Sequence, residues 1–171
     1  MPNKAVLFDR DGTLNVDVNY LYKREDFRWL PEVPEALTWL QQQGYDIYVI
    51  TNQSGIARGY FRLQDMLALH EYMNEELKPL GVQIKKFYYC PHLKDGSVPE
   101  YAVECECRKP KPGLVLQCLR ENNLLPENCL MIGDKPRDVE CAEAAGVQGY
   151  LYEGGSMLEF VKEILCTRTS C

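Results

Sequence analysis

Short apolar runs alternate with segments of helical spacing along nearly the whole chain. Residues 5–8, 45–50, 82–89, 129–132 and 149–152 are apolar runs bounded by turn residues, and they read as strands. Between and after them, residues 32–43, 62–79, 113–122, 136–145 and 157–165 read as helices. Val33, Ala36, Leu37 and Leu40 form one such apolar face, and Gly44 is placed to stop that helix. Residues 14–30 and 90–112 have no periodicity and read as long loops. The alternation predicts an α/β fold: one doubly wound, mainly parallel sheet with helices on both faces. Ligands of such sheets sit at the carboxyl ends of the strands.

A chain of 171 residues fits a single domain, residues 1–171, with a core at about 4–165 and a short tail at 166–171. Residues 167–171 are expected to fray. The net charge of −6 argues against nucleic acid or an anionic membrane as a partner. No run approaches the roughly 18 apolar residues of a membrane span. The apolar run at 5–8 is too short for a signal sequence, so a cytoplasmic protein is expected. In that setting the eight cysteines point to metal binding or buried thiols rather than disulfides. Cys118, Cys129 and Cys141 fall in apolar segments and read as core thiols.

Chemistry collects where strands end. Asp9-Arg10-Asp11-Gly12-Thr13 follows the first strand, with two carboxylates at i and i+2. Read alone it is a polar turn, since Asp-Gly is common in turns, with a pair of carboxylates set straight off a buried strand. Thr51-Asn52-Gln53-Ser54-Gly55 follows the second strand. It reads as a turn, or as a hydroxyl able to stabilise charge without adding any. Gly133-Asp134-Lys135-Pro136-Arg137-Asp138 follows the fourth, with Pro136 suited to the first helical position. Asp134 there is a helix cap or an acidic ligand. Arg108-Lys109-Pro110-Lys111-Pro112-Gly113 is a stiff basic turn ahead of a helix.

Cys90-Pro91-His92 and Cys105-Glu106-Cys107 flank a twelve-residue connection. Three thiolates and one imidazole make a closed, structural Zn²⁺ site stapling an irregular loop. Two unrelated thiol pairs or redox-active cysteines are the alternative readings.

These motifs, in this order, resemble the haloacid dehalogenase-like phosphohydrolases, and within them the heptose-bisphosphate phosphatase family, close to the histidinol phosphatases. The resemblance runs from about Lys4 to Tyr152. It implies that Asp9 is the nucleophile and Asp11 the acid and base, with Thr51 and Lys109 holding the phosphoryl group. It also implies Mg²⁺ on Asp9, Asp11 and Asp134. Substrate contacts are implied for Asp17, Val18, Asn19 and Tyr20, for Asn52, Gln53 and Ser54, and for Arg108 and Lys135. The expected activity is Mg²⁺-dependent release of the C7 phosphate of a heptose 1,7-bisphosphate through an aspartyl-phosphate, by a monomer. Histidinol-phosphate hydrolysis and a catalytically idle zinc-containing binding module are the competing expectations.

Only 37 residues separate Thr13 from Thr51, and a helix, a strand and the cysteine loop fill the span from Ser54 to Arg108. No cap domain fits. Substrate choice is therefore expected to rest on the 14–30 loop, residues 55–60 and the cysteine loop.

Overall fold

The computed structural model describes residues 2–169. Five parallel strands form one sheet: β1 (Lys4–Phe8), β2 (Tyr45–Asn52), β3 (Lys86–Cys90), β4 (Cys129–Gly133) and β5 (Gln148–Leu151), in the order β3-β2-β1-β4-β5. The chain winds outward from β1 to β3, then returns to place β4 against β1. The reversal puts the switch point at the carboxyl ends of β1 and its two neighbours.

Helices cover both faces because both faces of the strands are apolar. Val6, Phe8, Ile47, Val49, Leu130 and Ile132 point to one side, where α1 (Val33–Gln42), α3 (Leu63–Leu77) and α6 (Met157–Arg168) bury their apolar stripes. Ala5, Leu7, Tyr48, Ile50 and Met131 point to the other, against α4 (Gly113–Glu121) and α5 (Pro136–Ala144). The period of two along each strand thus splits one core into two layers. Cys118, Cys129 and Cys141 lie in the second layer, and burial raises their thiols to about 12, 11 and 11.

Three expectations change. β3 begins at Lys86 rather than 82, because the peptide of Ile84 is satisfied elsewhere: Asn74 Nδ2 donates to its carbonyl and Asn74 Oδ1 accepts from its N–H. A one-turn helix, α2 (Gly55–Arg58), follows β2 and is too short to leave a periodic signal. α6 continues to Arg168, where a frayed tail was expected. The Arg168 guanidinium fastens that end to Gln148 Oε1 and to the carbonyls of Glu127 and Cys129. Ser170 and Cys171, the rest of that tail, lie outside the described residues.

Loops and short 3-10 turns fill the spans between β1 and α1 and between β3 and α4. No cap domain stands over the strand ends among the described residues. Among the described residues, no helix is long and apolar enough to cross a membrane.

Candidate active site

Adjacent strands set the first requirement, a cluster of carboxylates. Asp9 leaves β1 and Asp134 leaves β4, and the two strands pair in register as far as Phe8 and Ile132. The turns then cross closely. A Cβ on Gly12, whose φ is +86°, would overlap the Asp134 carboxylate, and one on Gly133 would overlap Asp138. Thr13 Oγ1 donates to Asp134 Oδ1 (3.3 Å). Carboxylate oxygens of Asp9, Asp134 and Asp138 lie within 4.8 Å of one another.

Lys109 enters this cluster from below. It is 2% exposed. Its Nζ donates to Asp9 Oδ1 (2.7 Å) and to the Ile50 carbonyl (2.8 Å), and it pairs with Asp138 Oδ1 at 2.7 Å. Asn52 clamps the lysine's backbone: its Oδ1 accepts from Lys109 N–H (3.0 Å) and its Nδ2 donates to the Lys109 carbonyl (3.2 Å). Burial opposes the ammonium, but Asp9 and Asp138 outweigh it and hold its pKa above the ordinary lysine value. Burial pushes Asp9 up to about 7 against the pull of Lys109, with Asp138 adding to the rise. Three carboxylates therefore face one buried ammonium, a donor set suited to a hard cation such as Mg²⁺.

Asp11, expected among the cation ligands, is not in this group. Its Oδ1 accepts from Arg10 Nη2 (3.0 Å), Arg10 Nε (3.2 Å) and Asn15 Nδ2 (3.0 Å), and its Oδ2 accepts from Gln53 Nε2 (3.1 Å). Those bonds draw its carboxylate elsewhere, and Asp138 stands in the cluster instead. The same Gln53 amide donates to Thr51 Oγ1 (2.8 Å), joining the buried hydroxyl near the end of β2 to the Asp11 side.

Above these groups lies a cavity of about 300 Å³. Asp9, Asp11, Asp17, Asn19, Tyr20, Asn52, Gln53, Ser54, Arg108 and Lys135, all singled out in the sequence, line it. Val18 does not; it is exposed and faces a neighbouring depression with Leu21 and Tyr22. The cavity also takes in Arg58 and Arg137, which sequence reasoning missed. Arg58 lies in the 55–60 segment and Arg137 in the Gly133–Asp138 motif, and a cation in each was the available signal. Arg58 lies over the Tyr20 ring at 5.6 Å, and Tyr20 meets Tyr60 edge-on at 4.7 Å. Arg108 Nη1 is buried with no hydrogen-bond partner among the described residues, a donor left for an anion.

The second cluster is set back from the cavity. Cys90 Sγ lies 3.4 Å from Cys105 Sγ and 3.7 Å from His92 Nδ1, which is 3.4 Å from Cys107 Sγ. A tetrahedral site with bonds of about 2.3 Å to sulfur and 2.0–2.1 Å to nitrogen spaces its ligands about 3.6–3.8 Å apart. The observed cage fits that size, and the three cysteines are free thiols. Contact with Cys90, then burial, pushes the Cys107 thiol far above its usual range.

A parallel sheet with acids beyond β1 and β4, a hydroxyl near the end of β2 and a lysine ahead of α4 defines a haloacid dehalogenase-like hydrolase. Consistently, a family model described as HAD-hydrolase-like matches residues 106–159. The chain is 41% identical over 161 residues to the D-glycero-beta-D-manno-heptose-1,7-bisphosphate 7-phosphatase of Rhodopseudomonas palustris, covering 94% of this chain and 89% of that one. It is 46% identical over 149 residues to the enzyme of the same name from Haemophilus ducreyi, covering 86% and 81%. A crystal structure of D,D-heptose 1,7-bisphosphate phosphatase from B. bronchiseptica, complexed with magnesium and phosphate, superposes with a TM-score of 0.79 at 30% identity, over 94% of this chain and 86% of that one. The chain belongs to the family of these heptose-1,7-bisphosphate 7-phosphatases.

The raised Asp9 has a measurable consequence. Folded protein keeps the Asp9 proton up to about pH 7, whereas the unfolded chain releases it near 3.8. The folded state therefore binds more protons between those values, and stability falls as pH rises through them. In chelator-treated protein, Asp9→Asn should flatten that slope and raise Tm at pH 8 more than at pH 5. Equal shifts at both values would show that Asp9 is ionised throughout.

Proposed function

We propose that the chain is a Mg²⁺-dependent phosphatase that removes the C7 phosphate of D-glycero-D-manno-heptose 1,7-bisphosphate and leaves heptose 1-phosphate. The observation that carries the reading is the Asp9–Lys109–Asp138 arrangement at the floor of a cation-rimmed cavity. Lys109 holds the Asp9 carboxylate in place, and Asp9 attacks phosphorus to give an aspartyl-phosphate. As the P–O bond breaks, Asp11 passes its proton to the leaving C7 oxygen; it later takes a proton from the water that opens the aspartyl-phosphate. Thr51 can donate to a phosphoryl oxygen while charge builds on it, and the Lys109 ammonium, bonded to Asp9, Asp138 and the Ile50 carbonyl, offsets that charge from beneath Asp9. Mg²⁺ would be held by Asp9 and Asp134, and it would offset the repulsion between these carboxylates and a dianionic ester.

A phosphate on a terminal CH₂ arm reaches a buried nucleophile more readily than one fixed to the ring. The C1 phosphate then stays at the rim, where Arg108 has an unpartnered buried donor and Lys135, Arg58 and Arg137 add charge. Asp17, Asn19 and Tyr20 face the sugar from the opposite loop, with Asn52, Gln53 and Ser54 beside them. Zn²⁺ would be held by Cys90, His92, Cys105 and Cys107 with no open position, a structural role.

Given the bisphosphate, phosphorus NMR should show loss of the C7 signal with the C1 signal retained, and Asp9→Asn should abolish turnover. Release from C1 would overturn the orientation, and histidinol phosphate as the better substrate would replace the reading. Arg108→Ala should lower kcat/KM for the bisphosphate by about tenfold to a hundredfold, with a smaller loss on heptose 7-phosphate. An equal loss on both would place Arg108 on the reacting group instead.

Metal analysis of purified protein should find one zinc per chain. Its removal should increase hydrogen exchange across residues 90–109 and lower activity that added Mg²⁺ does not restore. Protein free of zinc with full activity would remove the structural role.

A further inference from the structure

Arg10 is the bulkiest side chain with no solvent access, and the chemistry above does not use it. Burial cannot neutralise a guanidinium, so its donors need partners. Nε and Nη2 meet Asp11 Oδ1 at 3.2 and 3.0 Å, and Nη2 also donates to the Leu21 carbonyl at 3.1 Å. Nη1 faces His70 Nε2 at 3.2 Å, across sixty residues of sequence.

A guanidinium has no acceptor, so the contact with His70 fixes the tautomer: Nε2 is bare and Nδ1 carries the hydrogen. The ring is 5% exposed and stacked on Phe87, with centroids 4.0 Å apart and planes 9° apart. Burial, and then the charge of Arg10, keep it well below the usual histidine range and therefore neutral. Its Nδ1 has no hydrogen-bond partner among the described residues. An apolar side chain would pack on Phe87 without leaving a buried donor unmatched. Packing alone therefore gives no reason for an imidazole here, whereas the acceptor at Nε2 does.

We propose that His70 is a positioning residue for Asp11, acting through Arg10. By taking Nη1, His70 sets the rotation of the guanidinium and presents its Nε–Nη2 edge to Asp11 Oδ1. With Asn15 also on Oδ1, that oxygen accepts three N–H bonds and has no room for a proton. Among the described residues Oδ2 accepts only from Gln53, so Oδ2 is the oxygen that delivers the proton to the leaving group. The same guanidinium ties down Leu21, next to Tyr20, so one buried charge fixes both the acid and the loop facing the sugar.

This inference rests on the acid role of Asp11 given above, and the test separates the two. Alkyl phosphates need a proton on the departing oxygen; p-nitrophenyl phosphate, with a stable phenolate, does not. The quantity to measure is kcat/KM, which covers steps through loss of the leaving group. For His70→Leu, it should fall about tenfold or more on the heptose bisphosphate and by less than about threefold on p-nitrophenyl phosphate. His70→Gln, whose Oε1 can accept from Arg10, should recover most of the loss. If the leucine variant does not fold, as read by thermal denaturation, His70→Phe fills the space on Phe87 without supplying an acceptor. Asp11→Asn is run beside them. Selective loss in Asp11→Asn with equal losses on both substrates in the His70 variants would overturn the positioning role alone. Equal losses in Asp11→Asn would overturn the acid role, and the inference with it.

Discussion

Lys109 Nζ sits 2.7 Å from both Asp9 and Asp138 with almost no access to water. An ammonium in that position costs several kcal/mol of desolvation unless its partners are fixed, and removing either partner leaves an uncompensated charge. The lysine comes from an irregular loop, so its backbone needs anchoring from outside. Asn52, at the end of β2, holds both its N–H and its carbonyl. Two residues upstream is Cys107, the last member of the Cys–His cage, and the Gly113 N–H returns to the Glu106 carbonyl at 3.1 Å. The cage and the asparagine thus determine where one charge stands, and that charge determines where Asp9 stands.

The same pairing makes the site incomplete without a cation. Strand register sets Asp9 and Asp134 side by side, and Gly12 and Gly133 let the turns close on the carboxylates of Asp134 and Asp138. Asp9 and Asp138 share the Lys109 ammonium, and the half-exposed Lys135 Nζ stands 3.5 Å from Asp134 Oδ2, so a single buried ammonium is set against three acids.

Much of this was legible in the sequence because it follows from local rules. Apolar runs bounded by turn residues mark all five strands, and Gly44 and Gly146 mark two helix ends with positive φ. The chemistry-bearing motifs lie directly after strands, where a parallel sheet gathers them. What was not legible depends on partners far along the chain. Nothing near Arg10 says that it is buried, because its reason lies at His70 and Leu21. The late start of β3 depends on Asn74, a helical residue that takes the place of a strand neighbour. Val18 faces away because only its neighbours turn inward from the loop.

Selectivity in a site with no cap has to come from its rim, and here the rim segments are joined rather than independent. The Val98 N–H donates to the Ala57 carbonyl at 2.9 Å, and Gly96 packs so closely on Ala57 that a side chain there would overlap it. The loop that carries the Cys–His cage therefore leans on α2. From α2, Arg58 reaches across to the Tyr20 ring, and Tyr60 closes on the same ring edge-on. Asn19 and Tyr20 both hold left-handed backbone, which non-glycine residues adopt only where their surroundings fix them. Those surroundings are the Leu21 carbonyl bonded to Arg10 on one side and Arg58 with Tyr60 on the other. Displacing the cage loop would therefore move α2, and with it the support of Tyr20. It would also move Lys109 through its link to Cys107. The loop that carries the Cys–His cluster, set back from the chemistry, thus touches both the floor of the site and its rim.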